Sequence, residues 1–316
     1  MSRKVLLIGG GGTLGTYTAE ELLHLGYSVD VICLEDKVSD NENLRFFKGK
    51  ATLEFLTEFL LKNHYDGIVN FIHYPLFEEY KPVHKLLSKN TEHLIFLSSY
   101  RVYAESNGPI TEETPHLLDV TTDKEFLENE WYALSKAKAE KFIRNESETN
   151  NWTIVRPVIS FSADRLDVVT VSGHIVYDYA KEGKTVYLPD KAKEVVAGLD
   201  WAGNSGKLIA NLLFKKEAYG EAYTISSAQR YTWGEIADMY TEILGTKFCW
   251  IDSDEWLSNE EYTGNNKWAV LYDRFFNREI DNSKVLKVTE LTEKDFKPIK
   301  EGIKIEINRL KENYKK

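Results

Sequence analysis

Cysteine is scarce in this chain. Only Cys33 and Cys249 occur among 316 residues, each inside an apolar run of strand character, which excludes a disulfide-stapled scaffold and predicts two buried thiols. Long hydrophobic runs are missing as well. The N-terminal one, Val5 to Ile8, meets glycine after four residues, too short for the apolar region of a signal peptide, so no membrane span is expected and the cytoplasm is the expected location. Positive charge is in deficit: 40 Lys and Arg stand against 50 Asp and Glu, for a net charge of −10, which repels nucleic acid and acidic membrane surfaces. The seven His residues show no ligand spacing with Cys or with one another, so no metal site is expected. No repeat and no low-complexity linker interrupts the sequence. At this length a globular chain forms one large domain or two smaller ones.

What is present begins at the N-terminus. Four apolar residues, Val5 to Ile8, run into Gly9-Gly-Gly-Gly12-Thr13-Leu14-Gly15, and from Thr16 to Leu25 the pattern turns helical, with Ala19, Leu22 and Leu23 on one face. This reads as strand, tight turn, helix. Gly9 can take a backbone angle closed to other residues, Gly12 lets the main chain approach a pyrophosphate, and Gly15 lets the helix press on the strand. The free N–H groups of the first helical turn then face an anion.

The first half goes on alternating short apolar strands with helical stretches, which predicts a parallel sheet covered by helices on both faces. A strand from Ser28 to Leu34 ends near Glu35 and Asp36. Glu35 lies about twenty positions beyond the glycines, where dinucleotide folds place an acid on the adenosine ribose; a solvated acidic turn is the alternative. No Arg or Lys is read at this strand end to meet a 2′-phosphate, so NAD is expected over NADP. Further on, Gly67 to Ile72 reads as a strand, about Leu76 to Ser88 as a short helix, and Leu94 to Leu97 as a strand ending in Ser98-Ser99. Hydroxyls at a strand end lie on the sheet edge that binds ligands in open α/β folds.

Tyr132-Ala-Leu-Ser-Lys136 opens a helix on which Tyr132, Lys136 and Glu140 share a face. An ammonium beside a phenol stabilises the phenolate, so the tyrosine can take a proton from an alcohol near neutral pH. The same spacing recurs at Tyr177/Lys181 and Tyr187/Lys191. The last contains Pro189 and cannot be one continuous helix, and Tyr177 lies beyond Arg156-Pro157, where the alternating pattern has broken down. Only the Tyr132 copy falls one strand-to-helix step after the serine pair.

Taken together, these residues resemble the extended short-chain dehydrogenase/reductase family, the NAD-dependent epimerases and dehydratases. The matching pieces are Gly9-x-x-Gly12-x-x-Gly15, Ser98-Ser99-x-x-Val102-Tyr103, Glu113-Thr-Pro115, Tyr132-x-x-x-Lys136, Val155-Arg156-Pro157, Leu199-Asp200-x-Ala202 and Asp281-Asn-Ser-Lys284. Asn70-Phe-Ile-His-Tyr74, the short helix after it and Asp281 to Lys284 point to the branch of the chloroplast stem-loop-binding proteins. The resemblance implies that Ser99 holds the substrate oxygen, that Tyr132 transfers the proton, and that Lys136 bonds the nicotinamide ribose while tuning Tyr132. It also implies that Gly9, Gly12, Thr13, Leu14, Gly15, Glu35, His73 and Pro157 surround the cofactor; His73 stands where Gly is frequent. Tyr100 and Arg101 follow Ser99 where sugar dehydratases carry an acidic pair, which weighs against dehydration.

The implied architecture is a doubly wound Rossmann sheet with a smaller C-terminal α/β substrate domain. The first comprises 1–156 and about 194–228, the second about 157–193 and 229–316. The implied chemistry is NAD(P)-dependent oxidation of a secondary alcohol, of a sugar or nucleotide sugar, and the sequence leaves epimerisation and net oxidation both open. A possible homodimer would use the Tyr132 helix and the short helix before Asn90. The rival reading is a degenerate dinucleotide-binding protein serving as an RNA-binding or redox-sensing partner; the charge of −10 speaks against RNA. In the second half, Asp178 to Gly183 and Trp233 to Gly245 read as helices, the latter with Ile236, Met239, Tyr240 and Ile243 as a core stripe. Lys294 to Lys316 reads as a charged helical tail presenting a solvated surface.

Overall fold

The first strand, β1 (Lys4–Ile8), is apolar on both faces and has no exposed residue after Lys4, as a strand covered by helices on each side must be. Around it the computed structural model, which describes residues 2–259, 262 and 267–313, builds a sheet of seven strands. After β1 come α1 (Thr13–His24), β2 (Ser28–Cys33), β3 (Leu44–Lys48), α2 (Leu53–Lys62), β4 (Gly67–Asn70), α3 (Phe77–Lys89) and β5 (His93–Leu97). Two short helices, α4 (Leu117–Val120) and α5 (Lys124–Asn129), precede α6 (Trp131–Glu146) and β6 (Trp152–Pro157). The seventh strand is contributed much later, by β10 (Glu221–Ile225).

The strand order is β10-β6-β5-β4-β1-β2-β3 and every pairing is parallel. Chain order reverses between β1 and β4, so a crevice opens beyond their carboxyl ends, and that is where open α/β sheets hold ligands. The one acid inside this sheet, Asp30 on β2, is fully satisfied. Tyr65 donates to it at 2.6 Å, Arg45 at 2.7 and 2.9 Å, and Lys4 lies 2.9 Å away. Burial raises its pKa, but these partners outweigh burial and hold it below the ordinary aspartate range.

The remaining strands form two small parallel pairs. β7 (Ile159–Phe161) joins β9 (Leu199–Trp201), and β8 (Thr185–Pro189) joins β11 (Lys247–Ile251). Against them pack α7 (Gly173–Glu182), α9 (Trp233–Leu244) and the last described helix, Ile299–Asn313, while α8 (Ala202–Leu212) lies on α1. The Trp233 helix is held by a Thr232/Glu235 capping box and stops at Gly245, whose φ of +74° ends it. Ile236 and Tyr240 from the expected stripe are buried, with Met239 and Ile243 packed at the margin.

Three expectations are corrected. The tail helix is no solvated surface: Ile299, Ile303, Ile307 and Leu310 are buried along one face. This apolar stripe runs through densely charged sequence, and it carries Glu306 into the interior. There Glu306 accepts hydrogen bonds from Tyr17 Oη, from Trp201 Nε1 at 2.7 Å and from the Ala163 amide at 2.8 Å. The helix expected at Asp178 starts at Gly173, where the chain packs so closely that a Cβ would lie 2.1 Å from Leu166 Cβ. Cys33 is buried and both thiols are free, but Cys249, on the outer strand pair, is only half-buried. Among the described residues no helix is long and apolar enough to cross a membrane, and no group of three His, Cys, Asp or Glu is placed to hold a metal.

Candidate active site

Two cavities open at the switch point and share Gly9 and Gly12 as their common wall. The larger, about 790 Å³, runs over the end of β2 and includes Glu35, Lys50 and His73. The smaller, about 410 Å³, is a chamber containing Ser99, Tyr132, Pro157 and the first turn of α1. The glycine turn is built as the sequence requires. Gly9 has φ +73°, and a Cβ at Gly15 would stand 2.3 Å from Gly10 Cα, so helix and turn touch backbone to backbone. Over Gly12 there is open space, and the N-terminus of α1 has neither a side-chain cap nor an acid in its first turn. Its N–H groups are therefore free to meet an anion. Thr13 Oγ1 hydrogen bonds Ser162 Oγ at 2.9 Å, tying this helix start to the loop after β7. Glu35 reaches the turn from β2. A cation does stand beside it, contrary to the sequence reading: Lys37 Nζ donates to the Gly11 carbonyl at 2.7 Å. It was missed because strand ends are read one or two residues deep, whereas a lysine side chain reaches further.

At the end of β5 the two serines part company. Ser98 donates to the Glu140 carboxylate and is structural. Ser99 caps a single 3₁₀ turn, its Oγ accepting from the Arg101 amide at 3.2 Å, and lies in the chamber. Tyr132 faces it from the first turn of α6. That helix begins at Glu130, whose carboxylate accepts from the Ala133 amide at 2.8 Å and from Arg101 at 3.1 Å. One ion pair thus locks the Tyr132 turn to the Ser99 turn. Arg101 also lies 5.3 Å above the Tyr132 ring.

One helical turn on, Lys136 is 2% exposed, and its Nζ donates to the Leu97 carbonyl at 2.5 Å. It lines neither cavity. Burial pulls its pKa down to about 7, against the opposing pull of Glu140. Between about pH 7 and 10.5 the unfolded chain holds a proton on Lys136 that the folded chain lacks, so stability should rise with pH across this window. Lys136→Met should flatten that rise. Melting temperatures of both proteins at the two ends of the window test it, and equal slopes would show that Lys136 stays protonated.

Glu140, on the next turn, is fully buried and accepts from Arg156 Nε at 2.9 Å and from its Nη2. Burial raises its pKa, but the Arg156 charge and hydrogen bonds override this and hold it below the usual range. His73 packs against Tyr132, with ring centres 5.0 Å apart, and its Nε2 is 2.8 Å from Ser135 Oγ. Ser135 Oγ also lies within hydrogen-bond distance of the Tyr132 carbonyl, at 2.9 Å. Burial first, then Lys136, lowers His73 to about 4, so the ring is neutral.

The other Tyr-x-x-x-Lys copies enter neither cavity. Tyr177 and Lys181 lie on α7, and Tyr187 is in a strand with Lys191 in the turn after it. Sequence reading missed Arg165, Asp167, Thr170 and Arg274, which close the chamber from the far side. The available signal was charge interrupting apolar or aromatic sequence, in Ala163-Asp-Arg-Leu-Asp167 and in Tyr272-Asp-Arg-Phe275.

A model of the NAD dependent epimerase/dehydratase family matches residues 5–189. Among solved structures, Pal from Bacillus thuringiensis is 13% identical, with 98% of this chain and 99% of that one covered and a TM-score of 0.75. The UDP-glucuronic acid 4-epimerase of Bacillus cereus, in complex with UDP-glucuronic acid and NAD, is 15% identical, covering 98% and 100%, with a TM-score of 0.71. The UDP-glucose 4-epimerase of Thermus thermophilus, in complex with NAD, is 16% identical, covering 98% and 99%, with a TM-score of 0.68. At these identities the likeness is one of fold. No curated protein matches the sequence.

Proposed function

For a chain that belongs to the NAD dependent epimerase/dehydratase family, we propose an NAD-dependent epimerase or oxidoreductase acting on a secondary alcohol of a sugar derivative. The observation that carries this reading is the convergence of Ser99, Tyr132 and the glycine turn on one chamber, with Lys136 one turn further along the Tyr132 helix.

The residues fit a dinucleotide. Open space over Gly12 and the unopposed N–H groups of Gly12 to Gly15 suit a pyrophosphate, with Thr13 and Leu14 in the same turn. Glu35 would meet the adenosine ribose, and His73, Lys136 and Pro157 the nicotinamide half. When bound, the cofactor accepts and returns a hydride. The chain's own part is proton transfer. Ser99 holds the reacting oxygen, Tyr132 takes its proton, and the Lys136 charge stabilises the phenolate that removes it. Residues 1–156 with about 194–228 would carry the dinucleotide, and the remainder would cover the substrate. Two copies would pair through α3 and α6.

Incubating the protein with NAD and UDP-glucose or UDP-glucuronic acid tests the reaction. An inverted sugar carbon by NMR, or reduced nicotinamide by absorbance, supports it; neither signal from protein shown to bind NAD would sink it. Because the Glu35 carboxylate would oppose a 2′-phosphate while Lys37 is engaged with Gly11, NAD should bind about tenfold or more tighter than NADP. Calorimetric titration giving equal or reversed affinities would overturn that assignment of Glu35.

A further inference from the structure

The far wall of the chamber carries features that proton transfer does not use. Val168 and Val171 exchange both backbone hydrogen bonds, at 3.0 and 2.9 Å, closing a tight turn over Val169 and Thr170. Val169 has φ +57°, a conformation that a β-branched residue adopts only at a cost and that concentrates at binding sites. Arg274 holds it there, with Nε donating to the Val169 carbonyl at 2.8 Å. The turn thereby presents Thr170, whose Oγ1 is buried without any hydrogen-bond partner, to the chamber. An orphaned buried hydroxyl costs stability, and a ligand that bonds it would relieve that cost.

The charges of the same wall do not balance. Arg101 pairs with Glu130 and Arg165 with Asp167 at 2.8 Å, but Arg274 and Arg278 share the single carboxylate of Asp273. Arg278 lies behind the chamber, whose own charged lining is three guanidinium groups, Arg101, Arg165 and Arg274, against the one carboxylate of Asp167. The chain as a whole carries a net charge of −10, so this local positive lining is not a reflection of its overall charge.

Resting on the sugar reading above, we propose that the chamber selects substrates bearing an anionic group on the sugar itself, a carboxylate or a phosphate. Arg101, Arg165 and Arg274 would meet its charge, and Thr170 Oγ1 would donate one hydrogen bond. Arg101 lies over the Tyr132 ring, so the anion belongs to the reacting part of the substrate and not to a distant leaving group.

Calorimetry on the NAD-loaded protein compares UDP-glucuronic acid with UDP-glucose, glucose 6-phosphate with glucose, and UDP alone. The acidic member of at least one pair should bind about tenfold or more tighter, the scale of one charge-assisted hydrogen bond. The first pair reports a carboxylate, the second a phosphate. Thr170→Val, which removes only the hydroxyl, and Arg165→Met, at a side chain half exposed to solvent, should each lower that ratio several-fold. Equal binding within both pairs would overturn the inference and leave the sugar reading standing. UDP binding as tightly as UDP-glucuronic acid would overturn it in favour of a nucleotide diphosphate. Failure of every sugar to bind would end both.

Discussion

Tyr132→Phe should lower turnover by about two to four orders of magnitude, the usual contribution of general acid–base catalysis, while the fold and NAD affinity survive. The phenol ring is held by His73 and by Arg101, and phenylalanine keeps both contacts. Among the described residues no side chain or backbone group hydrogen bonds the Tyr132 hydroxyl, so its removal strands no buried partner. Lys136→Met should lose turnover and part of the cofactor affinity together. Tyr177→Phe, on α7 and outside both cavities, should leave turnover within a few-fold of wild type. Should the Tyr177 variant be inactive and the Tyr132 variant active, the site is misplaced.

Glu140→Leu should be the most damaging single change to stability. Among the described residues its carboxylate is the sole ion-pair partner of Arg156, which is itself 1% exposed. Removing one member of a fully buried pair strands the other, at a cost of about 3–5 kcal/mol. The same carboxylate accepts from Ser98, so α6 would also lose its fastening to the ends of β5 and β6, and Lys136 would lose its one nearby negative charge. Replacing both members with leucine should recover much of the loss, because the desolvation penalty of both ions disappears with them. Thermal unfolding followed by circular dichroism tests this. If the double variant melts no higher than Glu140→Leu, the charge pair is not the reason for the loss.

The glycine turn, the Glu35 position and the Tyr132 helix were legible because each is encoded within a few consecutive residues. Gly15 must lack a side chain to touch Gly10, and a four-residue spacing places Tyr132, Lys136 and Glu140 on one face whatever else the chain does. The tail helix shows the limit of that kind of reading. Ile299, Ile303, Ile307 and Leu310 keep helical spacing, yet the charges between them dominate any local average, and nothing nearby in sequence says that Tyr17 and Trp201 await Glu306.

By itself, then, the sequence determined the alternation of strands and helices, the tight glycine turn after the first strand and the helix that carries Tyr132. Those features rest on backbone geometry and short-range periodicity. Tertiary structure alone decided the rest. Ser98 and Ser99 are adjacent, chemically identical and both line the chamber, but only Ser98 is tied down by the Glu140 carboxylate. Arg274 was brought across more than a hundred residues onto the wall that carries Arg165 and Thr170. Lys136 was buried on the Leu97 carbonyl and its pKa drawn down to about 7 by burial. The physical reason is common to all three: burial and charge balance are set by what surrounds a side chain in space, and those neighbours come from loops whose local sequence gives no account of where they end.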